Sequence, residues 1–126
     1  MSKVKDKKLF EMIAEFHKAF NIPVGTSEFE DRISLRESLI DEEYEELKKS
    51  IEEGAPKAHI LKELIDNIYV LVGMAVEFDW DVDEALRRVH ESNMSKAGPD
   101  GKPIFREDGK VLKGPNYREA DLEDLV

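Results

Sequence analysis

The chain has 126 residues, enough for one domain with a real core and too few for two ordinary ones. Apolar residues make up 40 % and charged residues 38 %, the balance of a soluble, globular, helix-rich protein whose helices each have a wet face. A net charge of −10 argues against nucleic acid and against an anionic membrane as partners, and the absence of cysteine excludes disulfides and thiolate metal sites.

In chain order, residues 5–20 place Leu9, Met12, Ile13, Phe16 and Phe20 at helical spacing. The "NIPVG" segment breaks the pattern with Pro23 and Gly25. A second helix opens at Ser27 or Ser34, each the first residue of a Ser-x-x-Glu capping box. Ser27 is preferred, because Phe29, Ile33, Ile40, Tyr44, Leu47 and Ile51 continue one stripe from there as far as Gly54. A third helix, 57–78, is apolar almost all round, which puts it at the centre of a bundle and calls for cover from a second subunit. A fourth helix, 82–95, is capped by Asp81. Beyond it, Asp108-Gly109 predicts a small β-hairpin, followed by an irregular tail.

The fold expected is all-α: a four-helix bundle completed by dimerisation, with a small C-terminal hairpin. It forms a single domain over 1–126, with a helical core at about 5–96 and hairpin and tail at 97–126. The start "MSKVKDKKLF" has no apolar h-region, and the longest apolar run is far shorter than the ~20 residues of a membrane helix, so a cytoplasmic protein is expected.

The chemistry concentrates in "LIDEEYEELKKSIEE", residues 39–53. On a helix, Glu42, Glu43 and Glu46 fall within an arc of about 100°, shared with Leu35 and Leu39, which the pattern reads as buried. Glu45 points elsewhere. In the third helix Glu63 and Asp66 begin the stripe that runs through Val70 and Met74. Lys48, Lys49 and Lys62 are read on other faces, unable to neutralise the acids. Antiparallel packing of helices 2 and 3 brings the two acidic pairs opposite each other. Carboxylates are seldom buried unless paired or bound to metal. A hard oxygen donor set without cysteine or suitably spaced histidine fits Mg²⁺, with Mn²⁺ as substitute. A ferritin-like di-iron centre needs Glu-x-x-His, and the residues three before His17, His59 and His90 are Ala14, Pro56 and Arg87. The bland reading of a Glu-rich helix is a solvated face. The second acidic pair on the neighbouring helix weighs against it.

"EEYEE" followed by "ELID" resembles the Glu-Glu-x-x-Glu … Glu-x-x-Asp signature of the all-α nucleoside triphosphate pyrophosphohydrolases, the MazG-like superfamily, over about residues 9–96. "FHKAFNIP", "RESLIDEEYEEL" and "VHESNMSK…DGK" further resemble its branch with dUTPase-type activity. The resemblance implies Mg²⁺-dependent hydrolysis of a nucleoside triphosphate between the α and β phosphates, with dUTP the leading substrate. It implies Glu43, Glu46, Glu63 and Asp66 as metal ligands, and Glu42 either as a carboxylate behind those ligands or as the group that orients the attacking water. Asn93 and Lys96 are read as phosphate contacts, Lys110, Lys113 and Tyr117 as a mobile basic segment closing over phosphates, and His17 as a contact to the base. Against these stand a surface position for His17 with Phe16 and Phe20 in the core, a cross-strand role for Arg106, and packing for Trp80. A homodimer or dimer of dimers is expected. The alternatives are dCTP, a non-standard nucleotide or phosphoribosyl-ATP as substrate, and a non-enzymatic helical adaptor whose acidic face binds a basic partner.

Overall fold

The computed structural model describes residues 7–26 and 28–126; the Ser27 cap and residues 5 and 6 of the first predicted helix lie outside the described residues. Among the described residues four α-helices follow one another: α1 (Leu9–Ala19), α2 (Phe29–Glu52), α3 (Lys57–Phe78) and α4 (Val82–Met94), with one 3₁₀ turn at Glu123–Leu125. No β-sheet forms among the described residues, so the fold is all-α. The chain packs as two compact units, Met1–Trp80 and Asp81–Val126.

In the first unit α3 packs against both α2 and α1. Helix α2 ends where Gly54 takes φ +66°, a left-handed conformation that favours glycine. Pro56 stands at the N-cap of α3, where its missing N–H costs no helical bond. The reversal makes α2 and α3 antiparallel: Arg32 meets Glu77, and Glu43 meets Asn67. Phe29, Phe78 and Trp80 stack with ring centroids 5.2–6.2 Å apart, so Trp80 is a packing residue.

Two expected stripes are rotated. On α1 the fully buried residues are Ile13 and His17, while Leu9, Phe16 and Phe20 are exposed. The expectation of core phenylalanines and a surface His17 is thereby reversed. Phe16 instead lies edge-on to Tyr69, 5.4 Å away, and tilted against Phe20 at 4.8 Å. On α2 the buried residues are Arg36 and Ser50, while Tyr44 and Ile51 are about half exposed. The cause is a buried ionic group. Glu77, completely buried, accepts from Arg32 Nε at 2.7 Å and from Arg36 Nη1 at 3.1 Å. Arg36 Nη2 also donates to the Val70 carbonyl at 2.6 Å. Guanidinium groups claim the α2–α3 interior, and part of the apolar stripe is turned outward. Gly73 supplies the space: a Cβ there would collide with Arg36 Nη2 and come within 3.1 Å of His17 Nε2.

In the second unit Asp81 caps α4 as expected, its Oδ1 accepting from the Glu84 N–H at 3.0 Å. The turn at Asp108-Gly109 forms, but its arms share one antiparallel bridge, Phe105 to Val111, and no strand. The Arg106 main-chain N–H reaches across the turn to the Lys110 carbonyl at 2.7 Å, while its side chain bonds Asp108 within the turn. The tail is not free. Ser92 Oγ donates to the Arg118 carbonyl at 2.7 Å, the Arg118 N–H donates to Ser95 Oγ at 2.9 Å, and Arg88 grips both the Asp121 carbonyl and the Asp124 carboxylate. Arg88 and Ser92 of α4, and Ser95 at its C-cap, are thus paired with this tail.

Candidate active site

The stripe of α3 that faces α2 runs Glu63, Asn67, Val70, Gly73, Glu77, a helical spacing that keeps all five on one side. The facing stripe of α2 runs Arg32, Arg36, Leu39, Glu43, Leu47, Ser50. Where the two stripes meet near the α2–α3 turn, Glu43, Glu63 and Asp66 each present a carboxylate oxygen, and the three atoms lie within 4.8 Å of one another. Glu63 is buried, Glu43 and Asp66 half-buried.

The expected arc was centred on the wrong residue. Glu43 sits at the middle of the interface, whereas Glu46, Leu35 and Glu42 fall about 60°, 80° and 100° to one side. Leu35 is accordingly 45 % exposed, not buried, and Glu42 and Glu46 are exposed. Glu46 lies on the rim, lining a groove of about 280 Å³ together with Lys49, Ser50, His59 and Glu63.

Three carboxylates in so small a volume oppose one another. Two ionised groups at such a separation repel by about 3 kcal/mol at an effective dielectric of about 20. Burial, then the charges of Glu46, Asp66 and Glu63, hold the Glu43 carboxyl above the ordinary glutamate range. Buried oxygens Glu43 Oε2 and Glu63 Oε2 have no hydrogen-bond partner. An unpartnered buried acceptor is costly and uncommon. A divalent cation would satisfy both oxygens and remove the repulsion, so the residues present fit a hard cation bound by Glu43, Glu63 and Asp66.

Two basic side chains approach the cluster that the sequence pattern placed elsewhere or passed over. Lys62 Nζ reaches Asp66 Oδ2 at 2.7 Å, because residues four apart share a helix face, so the expectation that Lys62 points away is corrected. The lysine is two-thirds exposed, so water screens its pairing with Asp66. His59 Nε2 stands 3.5 Å from Glu63 Oε1. Testing only the residue three before each histidine missed it; the spacing of four between His59 and Glu63 was the available signal. Asn67, also passed over, donates from Nδ2 to the Glu43 carbonyl at 2.9 Å and to the Glu63 carbonyl at 2.8 Å.

The remaining expected contacts are His17 on α1 and a set of residues beyond α3. His17 is 2 % exposed, its Nδ1 3.0 Å from the Pro23 carbonyl, so the ring is an interior support of the "NIPVG" loop and no open base contact. Asn93, Lys96, Lys110, Lys113 and Tyr117 belong to the second unit. There the Lys113 ammonium sits over the Tyr117 ring, 4.8 Å from its centroid, and the Lys96 carbonyl accepts from the Gly114 N–H at 2.8 Å.

The profile of the family described as phosphoribosyl-ATP pyrophosphohydrolase matches residues 7–93, more than half of the chain. The chain belongs to this family. It is therefore a pyrophosphohydrolase, a hydrolase of acid anhydrides, within the MazG-like all-α superfamily that its acidic signature resembles. No curated protein matches the chain. The phosphoribosyl-ATP pyrophosphohydrolase match spans α1 to α3 and most of α4, and so includes Glu43, Glu46, Glu63 and Asp66. No helix among the described residues is long and apolar enough to cross a membrane.

Proposed function

We propose that the chain is a Mg²⁺-dependent pyrophosphohydrolase that cleaves a nucleotide between its α and β phosphates, releasing a monophosphate and pyrophosphate. The observation that carries this reading is the meeting of Glu43, Glu63 and Asp66 from two helices, with two buried carboxylate oxygens left without partners. Bound there, Mg²⁺ supplies charge neutralisation for the phosphates and polarises the bond to be broken. Glu43, Glu63 and Asp66 hold the cation. Glu46, at the groove beside them, accepts the proton of the attacking water or completes the ligand set. Glu42, turned furthest toward solvent, orients water at the outer edge. Mn²⁺ substitutes for Mg²⁺, since both favour oxygen ligands.

The family match favours phosphoribosyl-ATP as the substrate, in place of the dUTP that the sequence resemblance put first. A second reading, dUTP or a related deoxynucleotide, is favoured by "FHKAFNIP" and "VHESNMSK…DGK", which resemble the dUTPase-type branch. Asn93, Lys96, Lys110, Lys113 and Tyr117 enter as phosphate contacts through that resemblance; a raised KM with unchanged kcat in Lys96→Ala is the mark of such a role. Leu61, Leu64, Ile65 and Leu71 form an exposed apolar stripe on α3 that a second copy of the chain would cover, which supports a homodimer.

The test is pyrophosphate release from phosphoribosyl-ATP, dUTP, dCTP and ATP with Mg²⁺ and with chelator. Fastest Mg²⁺-dependent release from phosphoribosyl-ATP supports the first reading, and fastest release from dUTP moves the substrate to the second. No release from any nucleotide, together with no Mg²⁺-induced rise in melting temperature, leaves the acidic adaptor and removes the enzyme.

A further inference from the structure

Asn67 is a buried amide between two residues that carry candidate metal ligands. Its Nδ2 donates to the main-chain carbonyl of Glu43 on α2 and to that of Glu63 on its own helix. Both partners are carbonyl oxygens, which only accept, so the amide nitrogen is the group that must lie between them. In a helix each carbonyl already accepts from the N–H four residues on and keeps one lone pair free. Asn67 uses that spare lone pair at both positions. It thereby ties the backbone that bears the Glu43 side chain to the backbone that bears Glu63.

The tie has something to hold against. Without a cation, the Glu43, Glu63 and Asp66 carboxylates repel, and the repulsion acts to separate α2 from α3 at this point. The Arg32 and Arg36 contacts to Glu77 and Val70 tie α2 to α3 toward the start of α2, and the Asn67 bond is the polar tie at the carboxylates themselves. The bond to the Glu63 carbonyl holds the amide in place on α3, and the bond to the Glu43 carbonyl crosses to α2 and ties the two helices at the carboxylates.

We infer that Asn67 is a positioning residue that presets the α2–α3 register in which Glu43 and Glu63 can grip one cation. The inference rests on the proposed metal-binding role of these carboxylates. Asn67 itself does not touch the ion.

The experiment measures Mn²⁺ affinity of the full chain by electron paramagnetic resonance, alongside the metal-free urea midpoint. Asn67→Leu keeps the volume and Asn67→Asp the shape, and both remove the donors. Each is expected to weaken Mn²⁺ binding by about tenfold or more, the range in which outer hydrogen-bonding partners of metal ligands act. Asn67→Gln, which keeps an amide, is expected to restore most of the affinity. Should Asn67→Asp fail to fold, Asn67→Leu decides. A folded Asn67→Leu that binds Mn²⁺ as the parent does, or an Asn67→Gln no better than Asn67→Leu, overturns the positioning role while leaving the metal site standing. A parent chain that binds no Mn²⁺ overturns both.

Discussion

Helices α2 and α3 bury charge at two places. Toward the start of α2, Glu77 is completely buried between the Arg32 and Arg36 guanidinium groups. Toward its end, Glu43, Glu63 and Asp66 crowd together, and two of their buried oxygens have no partner. Both clusters lie on the same facing stripes, in the same packing environment. The difference is charge balance. A buried anion that meets its cations within the chain is part of the framework. Carboxylates that meet one another, with two buried oxygens unpartnered and an exposed Lys62 reaching Asp66 alone, create a demand that a bound cation answers. Burial of carboxylates alone therefore did not mark the site; the mismatch of sign did.

The sharpest way to break this comparison is Glu77→Ala. It leaves the buried Arg36 without its carboxylate, and losing one partner of a buried pair costs about 3–5 kcal/mol. The loss should appear as a lower urea midpoint, equal with and without Mg²⁺. If stability were unchanged, the framework role would be wrong.

Next in size is Glu63→Gln, whose effect should be confined to the metal. With Mg²⁺ at about 100 times its dissociation constant, the parent gains about 2.7 kcal/mol by mass action. Glu63→Gln should lose that gain and pyrophosphate release together. Its metal-free melting temperature should hold or rise, because one repelling charge is gone. A fall in metal-free stability comparable to that of Glu77→Ala would erase the distinction between the two clusters.

Gly73→Ala sharpens the framework side. The added methyl meets Arg36 and His17, and overpacking of this kind costs about 1–3 kcal/mol, offset in part by the ~1 kcal/mol better helix propensity of alanine. A net destabilisation smaller than that of Glu77→Ala, with Mg²⁺ affinity kept, is expected by calorimetry.

The smallest effect is on pH dependence. Glu43 is held above its ordinary value of 4.5, chiefly by burial. For such a group the proton-linked stability of the metal-free fold is fully present below 4.5 and is lost as pH rises through the folded value. A cation needs the ionised carboxylate, so its stabilising effect runs the other way and fades as pH falls through that same value. Melting curves with and without Mg²⁺ should therefore converge on acidification, beginning above the ordinary glutamate range. Curves that stay parallel down to 4.5 would remove Glu43 from the ligand set.

Much of this was legible in the sequence. The bounds of α3, the glycine stop at Gly54 and the Asp81 cap follow from local rules, and the structure keeps them. Glu43, Glu63 and Asp66 were legible as well, because acids three residues apart stand out on helices otherwise rich in leucine and isoleucine. The Arg36–Glu77 pair was not. Its partners are 41 residues apart, and an arginine within an apolar pattern reads locally as a solvated residue. That pair in turn explains why the buried stripe of α2 is rotated from the one its apolar residues outline. His17 was misjudged for the same reason: only the space at Gly73 makes room for an imidazole beside a guanidinium.

The sequence by itself determined where helices start and stop and which short stretches carry acid, since those depend on neighbours within a turn or two of chain. Tertiary structure alone decided which face of each helix turns inward, and so which carboxylates meet one another and which meet an arginine. Solvation and Coulomb energies depend on distance in space, and residues far apart in the chain set them.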